Sequence, residues 1–175
     1  MMKDIPERRH PRMKHFDYSS GGMYFVTVCT YGKKPLLAVC TSPSAEGASV
    51  GRGLAPAEWQ LTAYGAIAEK QLFLLEERYP HVRVDQYVIM PNHIHVTFGF
   101  ADAPAGASPR PTLMDVICTF KSLTVREIRA LGGTEKIFQT SFYERVIRTE
   151  NEYQQILRYI AENPDKWWMD PLYTE

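Results

Sequence analysis

Two histidines separated by one apolar residue, His93 and His95, are the side chains of this sequence best placed to do chemistry. They stand in the run Met90-Pro91-Asn92-His93-Ile94-His95-Val96-Thr97-Phe98, where Pro-Asn marks a turn and residues with strand chemistry follow. Side chains alternate between the faces of a strand. Ile94, Val96, Phe98 and Phe100 therefore share an apolar face, and His93, His95, Thr97 and Gly99 share the other. Two imidazoles side by side suit a divalent metal. Spacing alone leaves that reading level with two histidines on a solvated sheet face.

If the pair holds a metal, the remaining ligands must come from another element, and the helix expected after Thr149 is the candidate. Tyr153, Ile156, Leu157 and Ile160 fall on one stripe of it, which is the face to bury. At about 100° per residue, Tyr159 lies roughly 110° from the centre of that stripe, with Asn163 one turn further on. Tyr153 is then the packing tyrosine. Tyr159 is either free for chemistry or a boundary residue of an amphipathic helix.

The elements that would position these groups follow from the pattern of the chain. Tyr24 to Thr30 is rich in β-branched and aromatic residues and reads as a buried strand. Thr62 to Tyr79 has a helical stripe stopped by Pro80, and Val82 to Met90 is a strand that forms a hairpin with the histidine strand. Thr112 with Asp115 opens a second helix as a capping box, and Gly132-Gly133 ends it. Tyr143 to Arg148 is a fourth strand, and Thr149 with Glu152 caps the last helix. The order β-α-β-β-α-β predicts an α+β, ferredoxin-like split βαβ fold: an antiparallel sheet with two helices on one face and an additional C-terminal helix carrying the tyrosine. The helices are expected on the Ile94/Val96/Phe98 side, which leaves both histidines open to a ligand. Residues 1–20 read as a basic arm and 21–175 as one domain, with flexible loops at 38–60 and 101–111.

With 175 residues, 45% apolar and 23% charged, the composition is that of an ordinary globular chain. No apolar run approaches the ~20 residues of a membrane span. Cys29, Cys40 and Cys118 form no CxxC pair, which argues against a zinc knuckle or disulfide framework and for a cytoplasmic protein. Net charge is zero, yet residues 1–34 carry seven Lys and Arg against three Asp and Glu. A basic arm of this kind suits contacts to phosphate.

The segments YFVTVCT, VIMPNHIHVTF, TFKSLTVREI, SFYERVIR and YIAENP occur in the order seen in single-tyrosine HUH transposases, and the chain most resembles the REP-associated tyrosine transposase branch from about Met23 to Trp167. The resemblance implies a metal-dependent endonuclease that nicks single-stranded DNA at or near a hairpin and transfers strands through a 5′-phosphotyrosine. It assigns the metal to His93, His95 and Asn163, with Mg²⁺ or Mn²⁺ as the cofactor, and the nucleophile to Tyr159. Lys121, in the family's Phe-Lys-Ser, becomes a DNA contact. Arg12, Lys14, Arg126, Arg145 and Arg148 are further basic candidates. Trp167 and Trp168 could stack bases or pack the tail onto the body. The partner is single-stranded or hairpin DNA, with no membrane, and the protein works as a monomer or a homodimer. The chain departs from the family pattern in the adjacency of Phe138 and Gln139 and in its 165–168 tail. A domesticated hairpin-binding protein without cleavage is the alternative, and an unrelated metallohydrolase drawing on Glu144 or Asp85 a third reading.

Overall fold

The computed structural model describes residues 21–41, 59–101 and 111–173. The expected basic arm with Arg12 and Lys14, and the interiors of the two expected loops, lie outside the described residues. Four strands, β1 (Gly22–Cys29), β4 (Val82–Ile89), β5 (His93–Phe100) and β6 (Tyr143–Ile147), form one sheet in the order β4-β5-β1-β6. Each neighbouring pair is antiparallel. Helix α1 (Ala63–Arg78) carries the chain from β1 to β4, and β5 inserts between those two strands. This is the split βαβ arrangement the sequence predicts.

Helices α1 and α2 (Leu113–Ala130) pack on one face of the sheet. The alternation of β5 decides which face: Ile94, Val96 and Phe98 are buried with Val26 and Val28 of β1 against Leu72, Leu75, Val116 and Phe120. Helix α2 begins with the capping box expected at Thr112, whose hydroxyl accepts from the Asp115 amide while the Asp115 carboxylate accepts from Thr112. It ends where Gly132 takes φ 91° and the Gly133 amide bonds back to the Ile128 carbonyl. No helix among the described residues is long and apolar enough to cross a membrane.

The second face is also covered. Helix α3 (Glu150–Glu162) lays Ile156 and Ile160 over Ile147, Met23, Phe25 and Val88. Tyr153 on this stripe donates its hydroxyl to Asp85 at 2.7 Å, so it is the packing tyrosine, as its position predicts. Asp85 sits at a register shift in β4 and also accepts from Thr97 Oγ1. The sheet therefore lies between two layers, and β5 is buried on both sides.

The expected 38–60 loop needs correction at both ends. Ala38–Cys40 (β2) and Trp59–Leu61 (β3) pair as an antiparallel ribbon. The reason is anchorage of the flanking backbone: Leu37 is fully buried, its amide bonds to the Pro91 carbonyl, and its carbonyl accepts the Thr62 amide. Thr62 also caps α1 through the Gly65 amide. Gly65 packs so closely that a Cβ there would lie 1.9 Å from the Leu37 carbonyl oxygen. Gly65→Ala should therefore cost about 3 kcal/mol, since a backbone atom in two hydrogen bonds cannot move aside. Thermal unfolding should show a fall of roughly 6–12 °C, and an unchanged transition would refute the contact.

Candidate active site

His93 opens β5 opposite Cys29 of β1, and His95 stands opposite Thr27. The sheet alternation brings both rings to the α3 side, with centroids 4.4 Å apart. They are not open, as the strand pattern led one to expect: His93 is fully buried and His95 is 3% exposed. Helix α3 and the short 3-10 turn after it (Pro164–Met169) close over them, and Trp167 lies 5.8 Å from the His93 ring, between Trp59 and Tyr173. Trp167 thus packs the tail onto the body, while Trp168 is exposed.

Neighbouring hydrogen bonds set which nitrogen of each ring faces the site. The Asn92 amide nitrogen donates to the Lys33 and Leu172 carbonyls, which turns Asn92 Oδ1 toward His93 Nδ1 at 2.9 Å. A carbonyl oxygen can only accept, so Nδ1 carries the proton and Nε2 keeps its lone pair. On His95, Nδ1 lies 2.8 Å from Thr27 Oγ1, and Nε2 points to Tyr159. Burial pushes the pKa of His93 down to about 4 and that of His95 to about 3. Both rings are neutral at neutral pH, the form that binds metals.

Tyr159 projects from the flank of α3, as its angular offset predicts, and its hydroxyl lies 3.2 Å from His95 Nε2 of the same chain. The hydroxyl also reaches Asp170 Oδ2 at 3.3 Å. Asn163, one turn later, donates its amide to that same carboxylate oxygen at 2.9 Å. Burial, the charge of Asp170 and its hydrogen bond push the phenol up to about 12, against a lowering bond from Asn163. Burial also opposes ionisation of Asp170, but bonds from Asn163 and the Leu172 amide hold its carboxyl below the usual range.

Asp170 is the residue that sequence reasoning missed. His93, His95 and Asp170 each present a ligand atom within 4.8 Å of the others, a group that could hold a metal ion. Among the described residues, His93 Nε2 and Asn163 Oδ1 are buried with no hydrogen-bond partner. Buried polar atoms ordinarily find a partner. Two orphaned acceptors beside a buried carboxylate fit a cation. Glu144 and Asp85, the carboxylates considered for a metallohydrolase, are not in this group, and Asp85 is held by Thr97 and Tyr153.

A cleft of about 490 Å³ opens from Tyr159 and His95 along Phe25, Thr27, Tyr143 and Arg145. Arg145 is exposed at this cleft and paired with Glu152. Arg148 is exposed one strand-end further on, where its amide bonds Glu152. Arg126 lies on α2, away from the α3 side, beside Glu127. Lys121, a DNA contact by the resemblance, is tied into the protein in the structure. Its ammonium donates to the carbonyls of Gln139 and Ser141, at 2.9 and 2.8 Å, and burial pushes its pKa down to about 8. It ties down the loop that leads into β6. Lys121→Ala should cost about 2 kcal/mol from lost charge-assisted bonds, seen as a melting temperature lower by roughly 4–8 °C.

No family model matches the chain. It is 28% identical over 186 residues to an uncharacterised protein of Haemophilus influenzae, an alignment covering 98% of this chain and 96% of that protein. Among solved structures it is similar to a REP-associated tyrosine transposase bound to a REP hairpin, with a TM-score of 0.58 and 20% identity, over 93% of this chain and 74% of that one. The chain thus has the fold of that tyrosine transposase.

Proposed function

We propose that the protein is a single-tyrosine HUH endonuclease that nicks single-stranded DNA, at or near a hairpin, and transfers the strand. The observation that carries this reading is the Tyr159 hydroxyl 3.2 Å from His95 Nε2 within one chain. A phenol aimed at two paired, neutral imidazoles supports such chemistry, as does the shared fold. The hairpin partner is inferred from the transposase of like fold.

In this reading His93 Nε2, His95 Nε2, an Asp170 oxygen and Asn163 Oδ1 would hold one divalent cation, Mg²⁺ or Mn²⁺. When bound, the cation supplies positive charge that grips and polarises the scissile phosphate. The chain does the rest. Asn92 and Thr27 hold the rings by Nδ1, so the site needs little reorganisation. Asp170 orients the Tyr159 hydroxyl. Tyr159 Oη attacks phosphorus in line, the bond from phosphorus to the 3′ oxygen breaks, and a free 3′-OH and a 5′-phosphotyrosine result. The phenol proton passes to solvent, and the departing 3′ oxygen takes one up from solvent. The ester bond conserved on the tyrosine lets a second 3′-OH rejoin the strand. The cleft by Phe25, Tyr143 and Arg145 would carry the strand to the site.

The test is incubation with a 3′-labelled hairpin oligonucleotide bearing a single-stranded tail. A labelled protein band that survives denaturing electrophoresis, needs Mn²⁺ or Mg²⁺ and vanishes with chelator is the expected result. Hairpin affinity without any adduct would instead favour the binding-only alternative.

A further inference from the structure

The turn that follows β1 is built more firmly than a surface connection needs. Tyr31–Lys33 forms one 3-10 turn in which Gly32 has φ 67° and Lys33 has φ 54°. Lys33 is the only non-glycine residue with positive φ among those described, a conformation that strains a side-chain-bearing residue. The surroundings hold it there. The Lys33 amide bonds to the Thr30 carbonyl, the Lys33 carbonyl accepts from Asn92, and Thr30 Oγ1 lies within hydrogen-bond reach of the Lys34 and Asn92 carbonyls. On the other side the Tyr31 amide bonds to the Ile137 carbonyl, and Thr30 bridges to Phe138.

This clamped backbone presents an aromatic ring and basic side chains outward. Tyr31 is 48% exposed, and the Lys136 ammonium lies 4.3 Å from its ring centroid. Lys34 and Lys136 are exposed, and neither forms an ion pair with a described residue. Glu135, the adjacent acid, engages the Tyr64 hydroxyl on α1 instead. The turn also adjoins the candidate site: Asn92, which holds the Lys33 carbonyl, is the residue that orients His93. The charge of Lys33 is felt at His93.

We propose that the Tyr31–Lys34 turn and Lys136 form a contact for single-stranded DNA, with a base stacked on the Tyr31 ring and phosphates on the lysine ammoniums. The proposal rests on the nicking reading and adds a place and a mode of strand binding to it. An aromatic face ringed by cations is the recurrent platform for unpaired bases, because every base has a π-face and every linkage a charge. A rigid turn presents that platform without an ordering cost at binding. The strained backbone at Lys33 is stabilised by the same Asn92 that sets the histidine, so strand and site keep a fixed relation.

The experiment is fluorescence anisotropy of the full chain with a labelled hairpin oligonucleotide carrying a single-stranded tail, across a salt series. All variants are made on Tyr159→Phe so that binding stays reversible. Tyr31→Ala should weaken binding by about 5- to 100-fold, and Tyr31→Trp should retain parental affinity. Lys34→Ala with Lys136→Ala, both exposed positions, should flatten the slope of log affinity against log salt by about 1.4, or ~0.7 for each phosphate contact on a single strand. Loop variants that bind with parental affinity and slope would overturn the contact and leave the nicking reading standing, as would a Tyr31→Trp variant as weak as Tyr31→Ala. A parent that binds no single-stranded DNA would overturn both.

Discussion

Tyr159→Phe should abolish the covalent protein–DNA adduct, with a fall in cleavage rate of at least about 10⁴-fold, the scale seen when a nucleophile that acts with its neighbours is removed. The change deletes one oxygen and leaves the ring where it packs, 5.1 Å from the His95 ring and 6.1 Å from Phe25. Stability and DNA affinity should therefore hold, which separates lost chemistry from lost structure. The other tyrosine of α3 cannot substitute, because the Tyr153 hydroxyl is committed to Asp85. Adduct formation is read by denaturing electrophoresis and hairpin affinity by anisotropy. An undiminished adduct in the variant would remove Tyr159 from the mechanism, and peptide mapping would then locate the true attachment.

The second large effect is expected at Asp170. Two neutral imidazoles and one amide make a weak set for a hard cation, which prefers charged oxygen. Asp170 supplies the one carboxylate in the group, 4.0 Å from His93 Nε2. Asp170→Asn keeps the size and removes the charge. It should weaken Mn²⁺ binding by at least about 100-fold, with adduct formation falling in step below saturating metal. Asn163→Ala removes a neutral donor and the bond that positions Asp170, and should cost about 10-fold. Titration calorimetry on the DNA-free protein measures both directly. Parental Mn²⁺ affinity in Asp170→Asn would sink the assignment of the carboxylate.

Period and punctuation made the frame legible. The two-residue alternation of β5 separated a core face from a histidine face, and the stripe on α3 separated Tyr153 from Tyr159. Both distinctions depend only on local geometry. The second expected capping box shows where such signals blur. Thr149 does accept the Glu152 amide, but the Glu152 carboxylate turns to the Arg148 amide and to Arg145. What stayed hidden depends on tertiary placement. Asp170 lies beyond Pro164 in a segment with no period, and nothing but the 3-10 turn distinguishes it from Asp165. The burial of the histidines required knowing that α3 folds over the second face. The bonds of Lys121 stayed hidden too, because the carbonyls it holds, 18 to 20 residues downstream, leave no mark on the pattern of α2.

The candidate site is assembled almost wholly from distant parts of the chain. His95 meets Thr27 across 68 residues and Tyr159 across 64, and Asn92 meets Leu172 across 80. During synthesis, the four-strand sheet can pair as soon as β6 has emerged, while Tyr159, Asn163 and Asp170 arrive afterwards. A nascent chain that has completed the sheet thus carries the histidines but not the proposed nucleophile. Closing such long loops costs entropy that only the finished packing returns. On the proposed nicking reading, a chain interrupted before α3 would hold the sheet and its histidines without the means to cut DNA.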